Sequence, residues 1–415
     1  MNRSVPESDF VTPQLRPLYQ WYRKSHRQLP FRETREVYPI WVSEVMLQQT
    51  RVAAMLPKYV AFTQRFPDME SLAASREEDV LAAWQGLGYY SRARNLRKGA
   101  QYITGECGGA FPRELDAALK VPGVGPYTAA AILSIALDQP TAVLDGNVKR
   151  VLDRLLGMSV ARRARPKADA DSQVSPREYQ HAADRLMHPD LRGRSATPGE
   201  HNQALMELGA VICVPGRPHC ERCPVQIVCA TLAADPTGDL AASLPPKANM
   251  PKTVELQLDA CLIYDRDESA ILIARDPNAR FFRNLWFFPY RFTGEVYFQP
   301  ASTPGLSAVP LKQARVYAKS FKHSITHHRI VGRVLASRIT GDPERALKKI
   351  QRACQKEDAS KKPGEIEWRW LPVGELHETV VSSLARKIEA IVNSAAAEQN
   401  GQNSRSNPAT TSAWT

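Results

Sequence analysis

Apolar residues recur at helical spacing through most of the first 230 positions, after which the period changes. Leu15, Leu18, Tyr19 and Tyr22 mark a first helix that ends before Arg27. Pro39 introduces a second, IWVSEVMLQQTRVAAML, in which Trp41, Val45, Val52 and Leu56 share a stripe and Glu44 lies among them. Helical patterning continues over Leu72–Lys98. The stretch LKVPGVGPYTAAAILSIAL then reads helix, Gly-Val-Gly turn, helix, the second helix covering Tyr127–Leu137. Pro126 suits a first helical position, where no amide hydrogen bond is lost. The chain returns through Ala142, Val143 and Leu144 and sets Asp145 at a further helix start. Val148, Val151, Leu152 and Leu155 follow it at helical spacing, which excludes a hairpin turn there. HNQALMELGAVIC is a last helix, and it feeds directly into cysteines.

From Val254 the pattern is one of strands. Val254–Leu258 alternates, Ala260–Tyr264 and Ile271–Ala274 are short apolar runs, and Leu285–Pro289 marks another. His323–Ile339 is a longer β-like stretch, Trp368–Pro372 a last one, and Val380–Val392 a closing amphipathic helix. These predict an α+β unit. Residues 231–252, small and with three prolines near the end, read as a linker. Residues 1–14 read as a loose arm, 159–176 as a basic solvated loop and 396–415 as a disordered tail. The predicted division is therefore a helical domain over 1–230, a linker over 231–252, an α+β domain over 253–395 and the tail.

Charge and cysteine content narrow the function. Lys and Arg number 55 against 43 Asp and Glu, and the net charge of +12 favours a polyanionic partner. The polar, charged first thirty residues are no signal peptide, and no apolar run approaches the roughly 18 residues of a membrane span, so a cytoplasmic protein without a membrane partner is expected. Of seven cysteines, four crowd into Cys213-x6-Cys220-x2-Cys223-x5-Cys229, which argues for a metal or cluster in a reducing compartment and against a disulfide framework. Four thiolates so spaced can hold zinc or an iron–sulfur cluster, although zinc usually takes two short Cys knuckles across a longer spacer.

Two carboxylates stand out chemically. Glu44, beside so much apolar surface, should have a raised pKa and act as an acid near neutrality. Asp145 can cap its own helix, and the helix amides and Asn147 should keep it ionised. Gly123 and Gly125 allow positive φ and close approach of a backbone, and the amides of the following helix can meet a phosphate. GLGYYSRARNLRK, with paired tyrosines and three arginines, suits a nucleic-acid backbone and an unstacked base.

VPGVGPYTA…LDGNVKRVL, together with SEVMLQQT and the cysteine loop, resembles the helix-hairpin-helix, Gly/Pro–Asp superfamily of DNA-repair glycosylases in its adenine DNA glycosylase (MutY) form. The resemblance implies a multidomain protein. An all-α helix-hairpin-helix glycosylase domain (hairpin 119–137) with an iron–sulfur cluster loop (213–229) is followed by an α+β Nudix-like, lesion-recognising domain. It implies a [4Fe–4S] cluster on Cys213, Cys220, Cys223 and Cys229, acting as a structural clamp, with Arg217, His219 and Arg222 meeting phosphates. The implied partner is double-stranded DNA containing A:8-oxoguanine or A:G mispairs, bound by a monomer.

In that resemblance Glu44 protonates the purine of a flipped-out nucleotide, and Asp145 with Asn147 stabilises the cationic sugar. Tyr127 stands where endonuclease III-type lyases carry a nucleophilic Lys; a phenol forms no imine, which favours hydrolysis by a monofunctional glycosylase. Arg27, Phe31, Arg32, Leu47 and Gln203 would line the base pocket, with Phe31 where the family usually has Trp. Gln48 and Gln49 would fill the space the base leaves, and Tyr89 would wedge the minor groove. Ile325-Thr326-His327 occupies the position of the usual Phe-Ser-His, which reads 8-oxoguanine, and Thr326 keeps a hydroxyl for the altered N7 edge. The long Gly/Glu/Arg-Glu helix motif of an active Nudix hydrolase is missing from the chain, which implies binding without phosphohydrolysis. Two other readings stand beside this one: an endonuclease III-type glycosylase/AP lyase, and a non-catalytic iron–sulfur DNA-binding protein that senses redox state.

Overall fold

The computed structural model describes residues 14–163, 173–188, 196–246, 253–293, 302–309, 311, 314–357 and 366–403. Contacts within the chain divide it into two units, Met1–Val80 with Tyr89–Met250, and Leu81–Gly88 with Pro251–Thr415.

Up to residue 246 the described chain is helical. The helices are α1 (Arg16–Ser25), α2 (Val37–Leu47), α3 (Val52–Arg65), α4 (Met69–Ala74), α5 (Glu77–Ala83), α6 (Tyr90–Glu106) and α7 (Leu115–Ala118). They continue as α8 (Pro126–Ile135), α9 (Gly146–Leu155), α10 (Met158–Arg163), α11 (Pro176–Met187), α12 (Pro198–Val211), α13 (Ala230–Ala234) and α14 (Asp239–Ser243). One core joins Leu18 and Tyr19 of α1, Val148, Val151 and Leu152 of α9, and Ala204, Leu205 and Leu208 of α12.

The run predicted as one helix over 40–56 is two. α2 ends at Leu47, Gln48–Arg51 turn, and Gln49 takes a left-handed φ of 56°. The carbonyls freed at the end of α2 are met by Arg92, whose Nη1 donates to the oxygens of Val45, Met46 and Gln48 at 2.7, 3.0 and 2.6 Å. Arg94 pairs with Glu77 at 2.9 Å, and Arg97 Nε donates to the Ser75 carbonyl at 2.7 Å. The three arginines read as nucleic-acid contacts are thus engaged within the fold, which composition alone does not reveal.

α7 and α8 form the hairpin. Gly123 in its turn has a φ of 80°, and an added Cβ would lie 2.6 Å from Asn95 Cβ, so only glycine fits. Gly125 does not share that conformation: at φ −92° it is the N-cap of α8. Residues 231–246 are not the start of a linker. Their one-turn helices, too short to give periodicity, bury Thr231, Ala241 and Leu244, and Arg154 of α9 donates from Nε to the Leu244 carbonyl at 3.0 Å. The loop read over 159–176 is helical up to Arg163, and its residues 164–172 lie outside the described residues, as do 1–13 of the arm and 247–252.

The remaining elements form a seven-stranded mixed sheet with helices on both faces. Its strands are β1 (Val254–Tyr264), β2 (Ala270–Arg275), β3 (Tyr290–Thr293), β4 (Arg315–Val316), β5 (Phe321–Ile325), β6 (His328–Arg338) and β7 (Glu367–Pro372). The order is β4-β6-β1-β2-β7, with β3 paired to β1 and β5 to β6; β1 and β6 are parallel. The helices are α15 (Pro343–Glu357), α16 (Leu376–Thr379) and α17 (Ser383–Asn403). Alternation along β1 serves two cores: Leu256, Leu258, Ala260 and Leu262 face Leu384 and Ile388 of α17, whereas Cys261 and Ile263 join Ile350 of α15.

This is the α+β unit the pattern predicts, although β1 joins two runs read separately, β3 and β4 are not foreshadowed, and four further elements differ. α15 carries few apolar positions among its Lys and Arg and is not foreshadowed by the pattern. Leu285–Pro289 forms only an isolated bridge, Phe287 to Ala274. The stretch 323–339 is a hairpin whose two-residue turn, Thr326–His327, puts Thr326 at φ 54°. The disordered tail read from 396 is helical to Asn403, since α17 continues past its packed face; residues 404–415 lie outside the described residues.

Candidate active site

A cavity of about 1200 Å³ opens among α2, α8, α9 and α12. Glu44 reaches it from α2, a helix whose residues Ile40–Met46 are all buried. A helix enclosed on every side leaves a carboxylate little solvent. Glu44 is 4% exposed. Burial pushes its carboxyl up to about 7; a hydrogen bond from Tyr127 pulls down, the Asp145 charge pushes up, and Arg32 pulls down. Tyr127, the second residue of α8, donates from its hydroxyl to Glu44 Oε2 at 2.7 Å. Burial and the two neighbouring carboxyl groups hold that phenol well above its ordinary value.

Asp145 is the N-cap of α9. Its Oδ1 accepts from the Val148 amide at 2.7 Å and its Oδ2 from Asn147 Nδ2 at 3.0 Å. An anion suits that place, at the positive end of a helix dipole with two donors aimed at it. Asn147 is itself held: its Oδ1 accepts from Arg150 Nη2 at 2.9 Å. Arg150 also donates to the carbonyls of Gly209 and Cys213, both at 2.7 Å. Gly209 lets α12 approach, because a Cβ there would lie 2.8 Å from Asn147 Cβ. Sequence reasoning missed Arg150 and Gly209. Their signal was a basic residue on the apolar face of α9 and a glycine inside a helical pattern.

Arg27, Phe31, Arg32, Leu47 and Gln203 all line the cavity. So do Gln48, Gln49, Gly123, Gly125 and Asn147. The Phe31 ring meets Tyr59 edge-on at 5.5 Å, and Gln48 Nε2 donates to Thr128 Oγ1 at 3.2 Å. Gln203 accepts from the Tyr22 hydroxyl at 2.6 Å. Tyr89 is not in the cavity wall; it stands 44% exposed at the N-cap of α6, in a left-handed conformation. Ile325, Thr326 and His327 lie at the β5–β6 turn of the other unit. There Thr326 Oγ1 donates to the Ile325 carbonyl at 2.7 Å.

Cys213, Cys220, Cys223 and Cys229 form no disulfide. Among the described residues no three His, Cys, Asp or Glu converge on a single ion. Two features of the loop bear on a metal or cluster held by these thiols. Burial, and then the neighbouring thiols, push Cys223 up to about 12 and raise Cys220 and Cys229, so ionising the four together needs a compensating cationic group. Arg154 meanwhile clamps the loop, donating to Cys213 Sγ at 3.4 Å and to the carbonyls of Val214 and Gly216 at 2.9 and 3.1 Å. Arg217 and His219 remain half-exposed or more.

The helical hairpin, the capped aspartate and the buried glutamate all fall within the stretch that matches base-excision DNA repair proteins. A family model described as "HhH-GPD superfamily base excision DNA repair protein" matches residues 42–170. The chain is 42% identical over 234 residues to the adenine DNA glycosylase of Mus musculus, covering 54% of this chain and 43% of that protein. It is 36% identical over 320 residues to the one of Homo sapiens, covering 66% and 56%. With the one of Buchnera aphidicola subsp. Schizaphis graminum it is 32% identical over 273 residues, covering 66% of this chain and 73% of that one. This chain belongs to the adenine DNA glycosylase family. It spans about half the length of the mammalian relatives it matches. Among the described residues no helix is long and apolar enough to cross a membrane.

Proposed function

We propose that this chain is a monofunctional DNA glycosylase that hydrolyses the N-glycosidic bond of adenine mispaired with 8-oxoguanine or guanine in double-stranded DNA. The observation that carries this reading is the pairing of unlike carboxyl groups, Glu44 and Asp145, on one cavity. Adenine leaves as a neutral base only if a ring nitrogen gains a proton, and Glu44, lifted to about 7, supplies it. The sugar passes through an oxocarbenium-like state, and the anion of Asp145 faces it, as in glycoside hydrolysis. Neither group reaches a stacked base, so the nucleotide is flipped out. A cavity of about 1200 Å³ has room for it. Arg27, Phe31, Arg32, Leu47 and Gln203 hold the base, Gln48 and Gln49 take its place in the duplex, and Tyr89 wedges the groove. Tyr127 offers no amine for an imine, which speaks against a lyase.

The cysteine quartet would hold a [4Fe–4S] cluster, which supplies a rigid frame for the loop when bound. Arg154 and Arg150 tie that loop to α9 and hence to Asp145. The domains in this reading are a glycosylase domain, to which the helices up to residue 246 are added, and a Nudix-like lesion-recognition domain over 253–395. A mixed sheet with helices on both faces supports the second. Lesion reading falls to Ile325, Thr326 and His327. The Thr326 hydroxyl donates to the Ile325 carbonyl and its oxygen lies 3.4 Å from His328 Nδ1, so in this reading a remaining lone pair of that oxygen is offered to the lesion. The N7 of 8-oxoguanine carries a proton to give, and the N7 of guanine does not. Single-turnover excision from duplexes with A:8-oxoguanine, A:G and T:G mispairs tests the proposal. Release of adenine from the first two, fastest from the first, is expected; equal or absent cleavage across all three overturns it.

A further inference from the structure

Glu207 does not line the cavity, yet it governs two residues that do. It sits one turn after Gln203 on α12 with its side chain 0% exposed. Its Oε1 accepts from Arg27 Nε at 2.8 Å and from the Arg27 amide at 3.1 Å. Its Oε2 accepts from Arg27 Nη2 at 2.6 Å and from Arg32 Nη2 at 2.7 Å. Burial pushes this carboxyl up, but the hydrogen bonds from Arg27 and Arg32 outweigh it and hold it at about 2. The group is therefore a fixed anion between two cations, leaving one net positive charge at the base pocket. The charged or titratable groups bearing on Glu44 are Tyr127 from α8, Asp145 from the start of α9, and Arg32 from the turn Pro30–Arg32.

We infer that Glu207 is a positioning residue that fixes Arg27 and Arg32 as paired donors on the pocket wall and, through Arg32, sets the charge that Glu44 experiences. The inference rests on the glycosylase reading only for the use made of the pocket. A guanidinium paired with a carboxylate acts on a third charge as a dipole; stripped of it, it acts as a full cation. Loss of Glu207 therefore stabilises the ionised form of Glu44.

The test follows Glu44 itself by its carboxyl band in infrared difference spectra of the full chain, assigned with Glu44→Gln. In Glu207→Gln, Glu44 is expected to titrate about one pH unit lower than in the parent, the effect of a nearby unit charge. The double variant Arg32→Gln/Glu207→Gln removes the cation that acts on Glu44 together with its carboxylate, keeps the net charge, and is expected to return the titration to the parental position. Glu207→Asp, which keeps the anion, should leave it there too. An unchanged titration in Glu207→Gln, or a shift that the double variant fails to reverse, overturns the inference. Should Glu207→Gln fail to fold, the double variant and Glu207→Asp still decide: a displaced Glu44 titration in both contradicts it. Excision assays on the same proteins keep the two claims apart. A parent inactive on every adenine mispair sinks the glycosylase reading, while the infrared titration still judges Glu207.

Discussion

The Tyr127 hydroxyl donates to Glu44 Oε2 at 2.7 Å, so the aromatic ring that occupies the second position of α8 also tempers the acid on α2. That bond favours the ionised carboxylate and opposes burial, the larger effect. Tyr127→Phe removes the opposing influence. Glu44 should then titrate at higher pH, and the basic limb of the single-turnover rate should move upward from its parental position near 7. A pH–rate profile of the two proteins checks it. A limb that moves downward would mean the phenol protects the acid form.

Glu44 also writes itself into stability. Its value rises from about 4.5 in the unfolded chain to about 7 in the fold, so the folded state holds the extra proton between those limits. Stability is greatest below pH 4.5 on this account and declines as pH rises through 7, by roughly 3 kcal/mol. Glu44→Gln has no such proton to lose. Its denaturant midpoint should fall less than the parent's between pH 5 and pH 8, which urea melts at several pH values would reveal. Glu207, held at about 2, behaves in the opposite sense: its contribution survives at neutrality and is lost only as pH falls from about 4.5 through 2.

Gly209 is a steric requirement. An added Cβ would sit 2.8 Å from Asn147 Cβ and 3.1 Å from its carbonyl oxygen, so Gly209→Ala must push α12 from α9 or turn Asn147 away from Asp145. We expect a stability loss of about 1–3 kcal/mol together with a slower chemical step. Thermal melts and single-turnover rates measure the two effects, and an unchanged rate would show that Asn147 does not orient Asp145.

Replacing Cys223, which burial pushes up to about 12, with Ser should strip the loop of its proposed iron–sulfur cluster. Purified parent protein should be yellow-brown with about four irons per chain. The variant should be colourless and less stable. Stoichiometric zinc in the parent would replace the cluster assignment.

Helical hairpin, capped aspartate and buried glutamate were all legible, because each depends on spacing within one short segment. Gly123 and Pro126 mark the turn, and Val148, Val151 and Leu152 mark the helix behind Asp145. What could not be read is what long-range contacts decide. Arg92 looks like a phosphate ligand in the sequence and is a helix cap in the fold. Arg150, Glu207 and Gly209 acquire meaning only when α12 comes against α9 and the residues after α1. α15 was hidden by its charge, since a helix covering one sheet face needs only Leu347, Ile350 and a few small residues. The 231–246 segment looked like linker because a single helical turn leaves no period to detect.

The central claim is that an uncharged Glu44 and an anionic Asp145 act from one cavity on a single extruded adenosine. Single-turnover adenine release from an A:8-oxoguanine duplex, with parent, Glu44→Gln and Asp145→Asn compared at equal DNA occupancy, tests it most directly. Each variant should bind the duplex yet lose two to three powers of ten in rate, the equivalent of roughly 3–4 kcal/mol of transition-state stabilisation. Either variant excising adenine at the parental rate would contradict it.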